Sequence, residues 1–152
     1  MARLMVTRFK NTTWNENIRW KENNNYSGCI YNSPVHIKET IPLQITIYVI
    51  EMNNDRNKIV GFGKIMNKVY TDRKYRIYDE RNYNRYTYRG IKRINIEEIK
   101  DDDIINKIGK LEKRLFKGKG HLKRGQGITQ LPNEIEKEYL NFIIEIIFNN
   151  NI

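Results

Sequence analysis

The sequence predicts an α+β domain: a small, curved and partly closed β-barrel of about five to six strands, flanked by helices. Three observations carry that expectation. Several short runs are β-branched or tyrosine-rich and read as strands, above all LQITIYVIEM (43–52). Two longer segments, 97–116 and 133–150, instead place their apolar residues at helical spacing. Gly61 and Gly63 interrupt a strand-like run and mark the bulge or sharp bend that curls a sheet. The 152 residues form one domain, large enough to bury a core without disulfides or metals, with 133–152 as a C-terminal helix packed on the rest.

Taken in order, ARLMVTRF (2–9) is the first strand and TTWNENIRWKENN (12–24) a helix with a threonine cap. The stretch YSGCIYNSP (26–34) is rich in turn formers, and Pro34 opens a short helical turn before Ile41-Pro42. The strand at 43–52 turns through residues 53–57 and returns as KIVGFGKIMNKVY (58–70), a hairpin. YRIYDE (75–80) and NRYTYRGIKRINI (84–96) add two tyrosine-rich strands. In the second, Arg85, Thr87 and Arg89 share one face while Tyr86 and Tyr88 share the other. Ile104, Ile105, Ile108, Leu111, Leu115 and Phe116 stripe the helix at 97–116. Asp101, Asp102 and Asp103 precede that stripe, where carboxylates complement the helix dipole; this explains them better than a metal site. LFKGKGHLKRGQGITQLP (115–132) is neither regular helix nor strand, and the last helix starts after Pro132.

A formal charge of +10 and a pI near 9.7 make nucleic acid the leading partner class. Residues 51–94 hold 12 Lys/Arg against 5 Asp/Glu and residues 117–132 hold 4 against none, so the positive charge is concentrated in the middle of the chain and in the late glycine-rich stretch. The abundant Asn, Ile, Lys and Tyr also have AT-rich codons, which offers gene composition as another source of the basicity. No apolar run is long and uninterrupted enough to span a bilayer, and no membrane partner is expected. One cysteine, Cys29, excludes an internal disulfide and agrees with a cytoplasmic or nuclear location.

The glycine-rich stretch fails both phosphate-loop patterns. Gly120 and Gly125 have the spacing of a nucleotide triphosphatase loop, but Gln126 and Gly127 stand where Lys and Ser/Thr belong. The dinucleotide pattern fails because Lys123 replaces its third glycine. What remains is a loop able to present Lys117, Lys119, His121, Lys123 and Arg124 to a phosphodiester backbone, with a solvated surface loop as the alternative. Aromatic residues interleave with the charges: Trp14, Trp20, Tyr26 and Tyr31, then Tyr75, Tyr78, Tyr83, Tyr86 and Tyr88, the pairing that single-strand or extruded-base recognition uses. Trp14 and Trp20 lie six apart on one helix, so at most one belongs to a pocket. Catalytic signals are thin. A Cys29–His121 pair is the one nucleophile–base candidate, and two histidines with one cysteine make no familiar zinc site; neither cofactor nor metal is expected.

The basic strand–helix opening, the turn YSGCIYNSP, the strand ending IEMNN, the returning strand IVGFGKI and the late basic glycine loop together resemble the PUA-like superfamily of EVE, YTH and ASCH domains. The likeness covers roughly residues 1–132, and the strand NRYTYRG and the loop GKGHLKRGQG look like those of EVE-like proteins of large DNA viruses. The resemblance implies a barrel whose mouth binds nucleic acid, in some members around a modified base. It would place Ser27, Gly28, Cys29, Ile30, Tyr31, Asn32 and Pro34 around that pocket, beside Tyr26, with Trp14 or Trp20 as a wall. Arg85, Arg89 and the basic loop would hold the backbone. The expected function is a non-catalytic nucleic-acid-binding module, DNA or RNA, with oligomeric state open. The alternatives are an enzyme acting on a nucleoside or nucleic acid, of ASCH-like hydrolase or nuclease type, and a protein–protein adaptor using Ile143, Ile144, Ile146 and Ile147.

Overall fold

The computed structural model describes residues 1–149. Among these described residues seven strands and three α-helices follow one another: β1 (Ala2–Phe9), α1 (Asn11–Asn23), β2 (Cys29–Ser33), β3 (Thr46–Asn53), β4 (Lys58–Met66), β5 (Tyr86–Gly90), β6 (Lys92–Asn95), α2 (Asp102–Phe116), β7 (Thr129–Gln130) and α3 (Asn133–Asn149). The architecture is α+β, as the sequence predicts. The strands form an open five-stranded mixed sheet, ordered β6-β4-β3-β1-β7, and a separate two-stranded ladder of β2 and β5. Among the described residues no pairing closes a barrel.

β1 and β3 run parallel, with Ala2 opposite Thr46 and Phe9 opposite Asn53, because α1 and β2 carry the chain back between them. β4 returns antiparallel to β3, and a bulge falls where Glu51 faces Gly61 while Met52 faces Ile59. Period-two alternation sends the two sides of each strand into different cores. Leu4, Val6, Tyr48, Ile50, Met52 and Phe62 pack under α2 and α3, against Leu111, Leu115, Tyr139 and Ile143. Met5, Phe9, Ile47, Val49 and Ile65 face the β2–β5 ladder, where Ile30, Tyr31 and Tyr88 cover them. Ile143, Ile146 and Ile147 are buried and Ile144 is partly so, which leaves the proposed adaptor face of α3 in the core. The helix end expected at residues 150–152 lies outside the described residues.

Local corrections have local causes. YSGCIYNSP contains a strand, β2, and no helical turn follows Pro34. YRIYDE is irregular because the Asn84 side chain takes the backbone: its Oδ1 accepts from Ile77 N at 3.2 Å and Tyr78 N at 3.1 Å, and its Nδ2 donates to Tyr78 O at 2.7 Å. The run 84–96 is two strands, with β5 pairing to β2 and β6 to β4. The chain changes sheet at Gly90, where a Cβ would stand 1.8 Å from Lys64 O. Helical structure expected from residue 97 begins at Asp102, after a 3-10 turn at Ile96–Glu98. Asp101 caps α2, its Oδ1 accepting from Asp103 N at 2.9 Å and Ile104 N at 3.2 Å, the structural role weighed against a metal site.

Candidate functional site

Between β4 and β5 the chain runs for nineteen residues, 67–85, without a strand. Its conformation is fixed by side chains. Asn67 donates to Ile41 O and Pro42 O, Asn32 donates to Tyr75 O at 2.7 Å, and Asn17 reaches both Ile30 O and Tyr78 Oη. Tyr75, Ile77 and Tyr78 are thereby drawn inward, and the alternate residues Lys74 and Arg76 stay in solvent.

The result is a groove of about 770 Å³ with Tyr75 and Tyr78 in its floor, Tyr70 at one end, and Arg73, Lys74, Arg76, Arg81 and Arg85 around it. Asp79 is the one carboxylate in the lining. All five cations are exposed, and none is within 4 Å of a carboxylate among the described residues. The nearby Asp72 is engaged instead by Tyr75 Oη at 2.8 Å, a hydrogen bond that holds its carboxyl below the usual range. The groove therefore carries a net positive field, five cations against Asp79, over aromatic ground.

Two further depressions adjoin it. Beyond Tyr70, Arg89 lies 4.1 Å from the centre of the Tyr70 ring and lines a hollow of about 270 Å³ with Lys64 and Lys92. Its Nε is buried without a hydrogen-bond partner. On the other side, Tyr78 and Asp79 are shared with a cavity of about 500 Å³ between the start of α1 and the glycine loop. That cavity is lined by Tyr31, Asn32 and Pro34 from the predicted base pocket and by Lys123, Gly125, Gln126 and Gly127 from the predicted grip.

The loop is anchored there. Arg8 Nε donates to Leu122 O at 2.6 Å, Arg8 Nη1 to Thr129 Oγ1 at 2.9 Å, and Asn54 Nδ2 to Lys123 O at 2.7 Å. Thr129 and Gln130 form β7 on the edge of β1, a short strand inside a stretch expected to have none. Gly127, at φ 76°, passes Ser33 so closely that a Cβ would meet Ser33 Oγ at 2.4 Å.

The predicted base pocket is split. Tyr31, Asn32 and Pro34 face the loop cavity, whereas Trp14, Tyr26 and Ser27 line a different hollow of about 500 Å³ with Lys21 and Arg93. The division follows from β2, whose pairing with β5 from Cys29 to Ser33 separates the ends of the turn. Trp14 packs edge-on to Phe9 at 5.0 Å, and Trp20 packs on Tyr26 and Tyr75 at 5.9 and 5.8 Å. Gly28 is a close-packing position against Gly90 O and lines neither cavity. Cys29 is 1% exposed, its Sγ 3.7 Å from Lys64 O and from Lys92 O, and burial pushes its thiol up to about 11. It is a packed thiol held protonated at neutral pH and makes no contact with His121, whose Nδ1 accepts from Lys123 N at 3.2 Å. Of the backbone-gripping candidates, Arg85 lines the tyrosine groove, Arg89 the hollow beyond Tyr70, and Lys123 the loop cavity; Lys117, Lys119 and Arg124 are exposed on the loop. Arg73, Lys74, Arg76 and Arg81 escaped sequence reading as individual site residues, although the charge excess of 51–94 pointed to their segment.

Among the described residues no cluster of three or more His, Cys, Asp or Glu is arranged to hold a metal ion, and no helix is long and apolar enough to cross a membrane. No family model, curated protein or solved structure matches the chain.

Proposed function

We propose that this protein is a nucleic-acid-binding module that holds a single strand along the tyrosine groove and receives one nucleotide in the adjoining loop cavity. The observation that carries the reading is the set of five exposed cations, Arg73, Lys74, Arg76, Arg81 and Arg85, none with a carboxylate within 4 Å among the described residues, around one groove floored by Tyr75 and Tyr78. Clustered cations gain by releasing the counter-ions condensed on a polyphosphate, and the half-buried Tyr70 ring in the groove lining offers aromatic surface to a base. A single strand suits the groove better than a duplex, since its unpaired bases are free to reach a recessed floor. The PUA-like resemblance belongs to the same proposal, in an open-sheet form. Its support is the meeting of Tyr31, Asn32 and Pro34 with Lys123 and Gly125 at one cavity.

The test is the salt dependence of binding to short single-stranded DNA and RNA oligonucleotides. The wild-type log–log slope should be steep, and each of Lys74→Gln, Arg81→Gln and Arg85→Gln should flatten it by about 0.7 for every phosphate left without its cation. Binding unchanged by the triple variant would remove the groove from the mechanism.

A further inference from the structure

The corner between β5 and β6 exposes groups that a folded chain ordinarily hides or pairs. The chain leaves the β2–β5 ladder at Gly90 and enters the β4–β6 pairing at Lys92, so Ile91 belongs to neither and stands 81% exposed. Lys92 pairs directly with Lys64, which sets two lysines on one face with Cβ atoms about 5 Å apart, an arrangement that destabilises a sheet. Met66, two residues beyond Lys64 on the same face of β4, is 44% exposed. These four side chains join Arg89 and Tyr70 in lining the hollow of about 270 Å³, and no carboxylate among the described residues lines it. Neither lysine nor Arg89 has a carboxylate within 4 Å among the described residues; Lys64 Nζ has only the Tyr48 ring, its centre 5.9 Å away. Lys68 adds a fourth positive charge 4.9 Å from the centre of the Tyr70 ring. Asp72, held below its usual range first by Tyr75 Oη at 2.8 Å and in smaller part by Arg89, offsets one of the four. The corner is therefore net positive, and it carries apolar surface in water.

We propose that this corner is a further nucleotide site on the strand held by the tyrosine groove: one base lies against Ile91 and Met66, and the phosphate beside it falls between Lys64 and Lys92. The inference rests on the nucleic-acid reading above and extends its footprint past Tyr70, which lines both the groove and the hollow. A nucleotide answers both halves of the corner at once. Its phosphate places negative charge between two lysines that repel each other, and its base covers apolar surface that otherwise meets water. Exposed Ile or Met side chains set beside cations are a means by which proteins hold unstacked bases. An anionic lipid surface would satisfy the same charges, but the shared Tyr70 makes the corner one end of a continuous basic path, which a strand can follow. A volume of about 270 Å³ is small beside the roughly 300–1,000 Å³ of pockets that enclose a separate ligand, and it suits a segment of a longer one.

The experiment measures binding of short single-stranded DNA and RNA across salt concentrations for the wild type, the double variant Lys64→Gln with Lys92→Gln, and Ile91→Ser, with vesicles of phosphatidylcholine and phosphatidylserine in parallel. The lysine variant should flatten the log–log slope by about 0.7, the loss of one phosphate, while its melting temperature without ligand stays level or rises because the repulsion is relieved. Ile91→Ser should weaken binding about three- to tenfold at every salt concentration with the slope unchanged, since it removes apolar contact and no charge. Wild-type affinity and slope in both variants, beside the loss that replacing Lys74, Arg81 and Arg85 causes, would overturn the corner site and leave the binding module standing. No binding of either oligonucleotide by the wild type would overturn both. Vesicle binding abolished by Ile91→Ser, with oligonucleotide binding intact, would refute the nucleotide in favour of a lipid surface.

Discussion

Glu51 and Arg93 form an ion pair inside the protein, with Arg93 Nε 2.9 Å from Glu51 Oε2 and the two side chains 1% and 9% exposed. Tyr31 Oη donates to the same carboxylate oxygen at 2.6 Å. Attraction of Glu51 keeps the guanidinium charged against the desolvation that opposes it. Arg93 also lies 5.2 Å from the Trp14 ring, so the pair joins β3, β6, β2 and α1 at one point. Removing one partner leaves the other buried and uncompensated. Glu51→Leu and Arg93→Met should each destabilise the fold by about 3–5 kcal/mol, read from urea unfolding, and the variant carrying both by less than the sum of the two.

Gly61 and Gly63 make room for that cluster. A Cβ at 61 would stand 2.5 Å from Arg93 Nη2, and one at 63 would stand 2.2 Å from Tyr31 Oη and 2.8 Å from Cys29 Sγ. Gly63→Ala should cost about 1–3 kcal/mol through overpacking. Tyr31→Phe withdraws the obstructing oxygen, so the pair Gly63→Ala with Tyr31→Phe should be less destabilised than the two single changes added together. Additivity in a double-mutant cycle would show that the glycine serves something else.

The same layer predicts alkaline weakening. Burial pushes the Cys29 thiol from its ordinary 9.0 to about 11, and burial raises Tyr31 and Tyr78 as well. In each case the native state keeps a proton that the unfolded chain gives up first. The stabilisation is complete below pH 9 and is lost as pH rises toward 11, about 3 kcal/mol for Cys29 alone. Lys21, lowered by desolvation, works in the opposite sense near its ordinary 10.5 and offsets part of the loss. Unfolding free energies at pH 8 and pH 10.5 should therefore differ substantially, and Cys29→Ala should reduce that difference whatever it does to stability at pH 8.

The cap of α2 offers a plainer test. Asp101→Ala should cost about 1 kcal/mol, because Asp103 N and Ile104 N lose their acceptor. Asp102→Asn removes only a favourable charge in the first turn and should cost about 0.3–1 kcal/mol. A larger effect at Asp102 than at Asp101 in thermal melts would refute the capping assignment.

Local periodicity determined a large part of this molecule. The alternation of LMVTRF, ITIYVIEM and IVGFGKI commits β1, β3 and β4 to one sheet with two apolar faces, and the stripes of α2 and α3 commit them to cover one of those faces. The charge excess of 51–94 likewise located the basic groove by segment, and of its five cations only Arg85 was legible by residue. What the sequence could not announce were the choices made between distant partners. Whether Tyr75–Glu80 became a strand was decided by Asn84 and Asn32, whose side chains claimed the backbone groups that a ladder would have used. Whether 117–127 floated free was decided by Arg8 and Asn54, more than sixty positions away in the chain, which bound its carbonyls. The two glycines of β4 could be read as a bend from their neighbours, but their function as a seat for Glu51, Arg93 and Tyr31 exists only once three other strands have brought those side chains over them. Secondary structure here follows from spacing along the chain. The candidate site depends on hydrogen bonds and charges that meet only after the chain has folded.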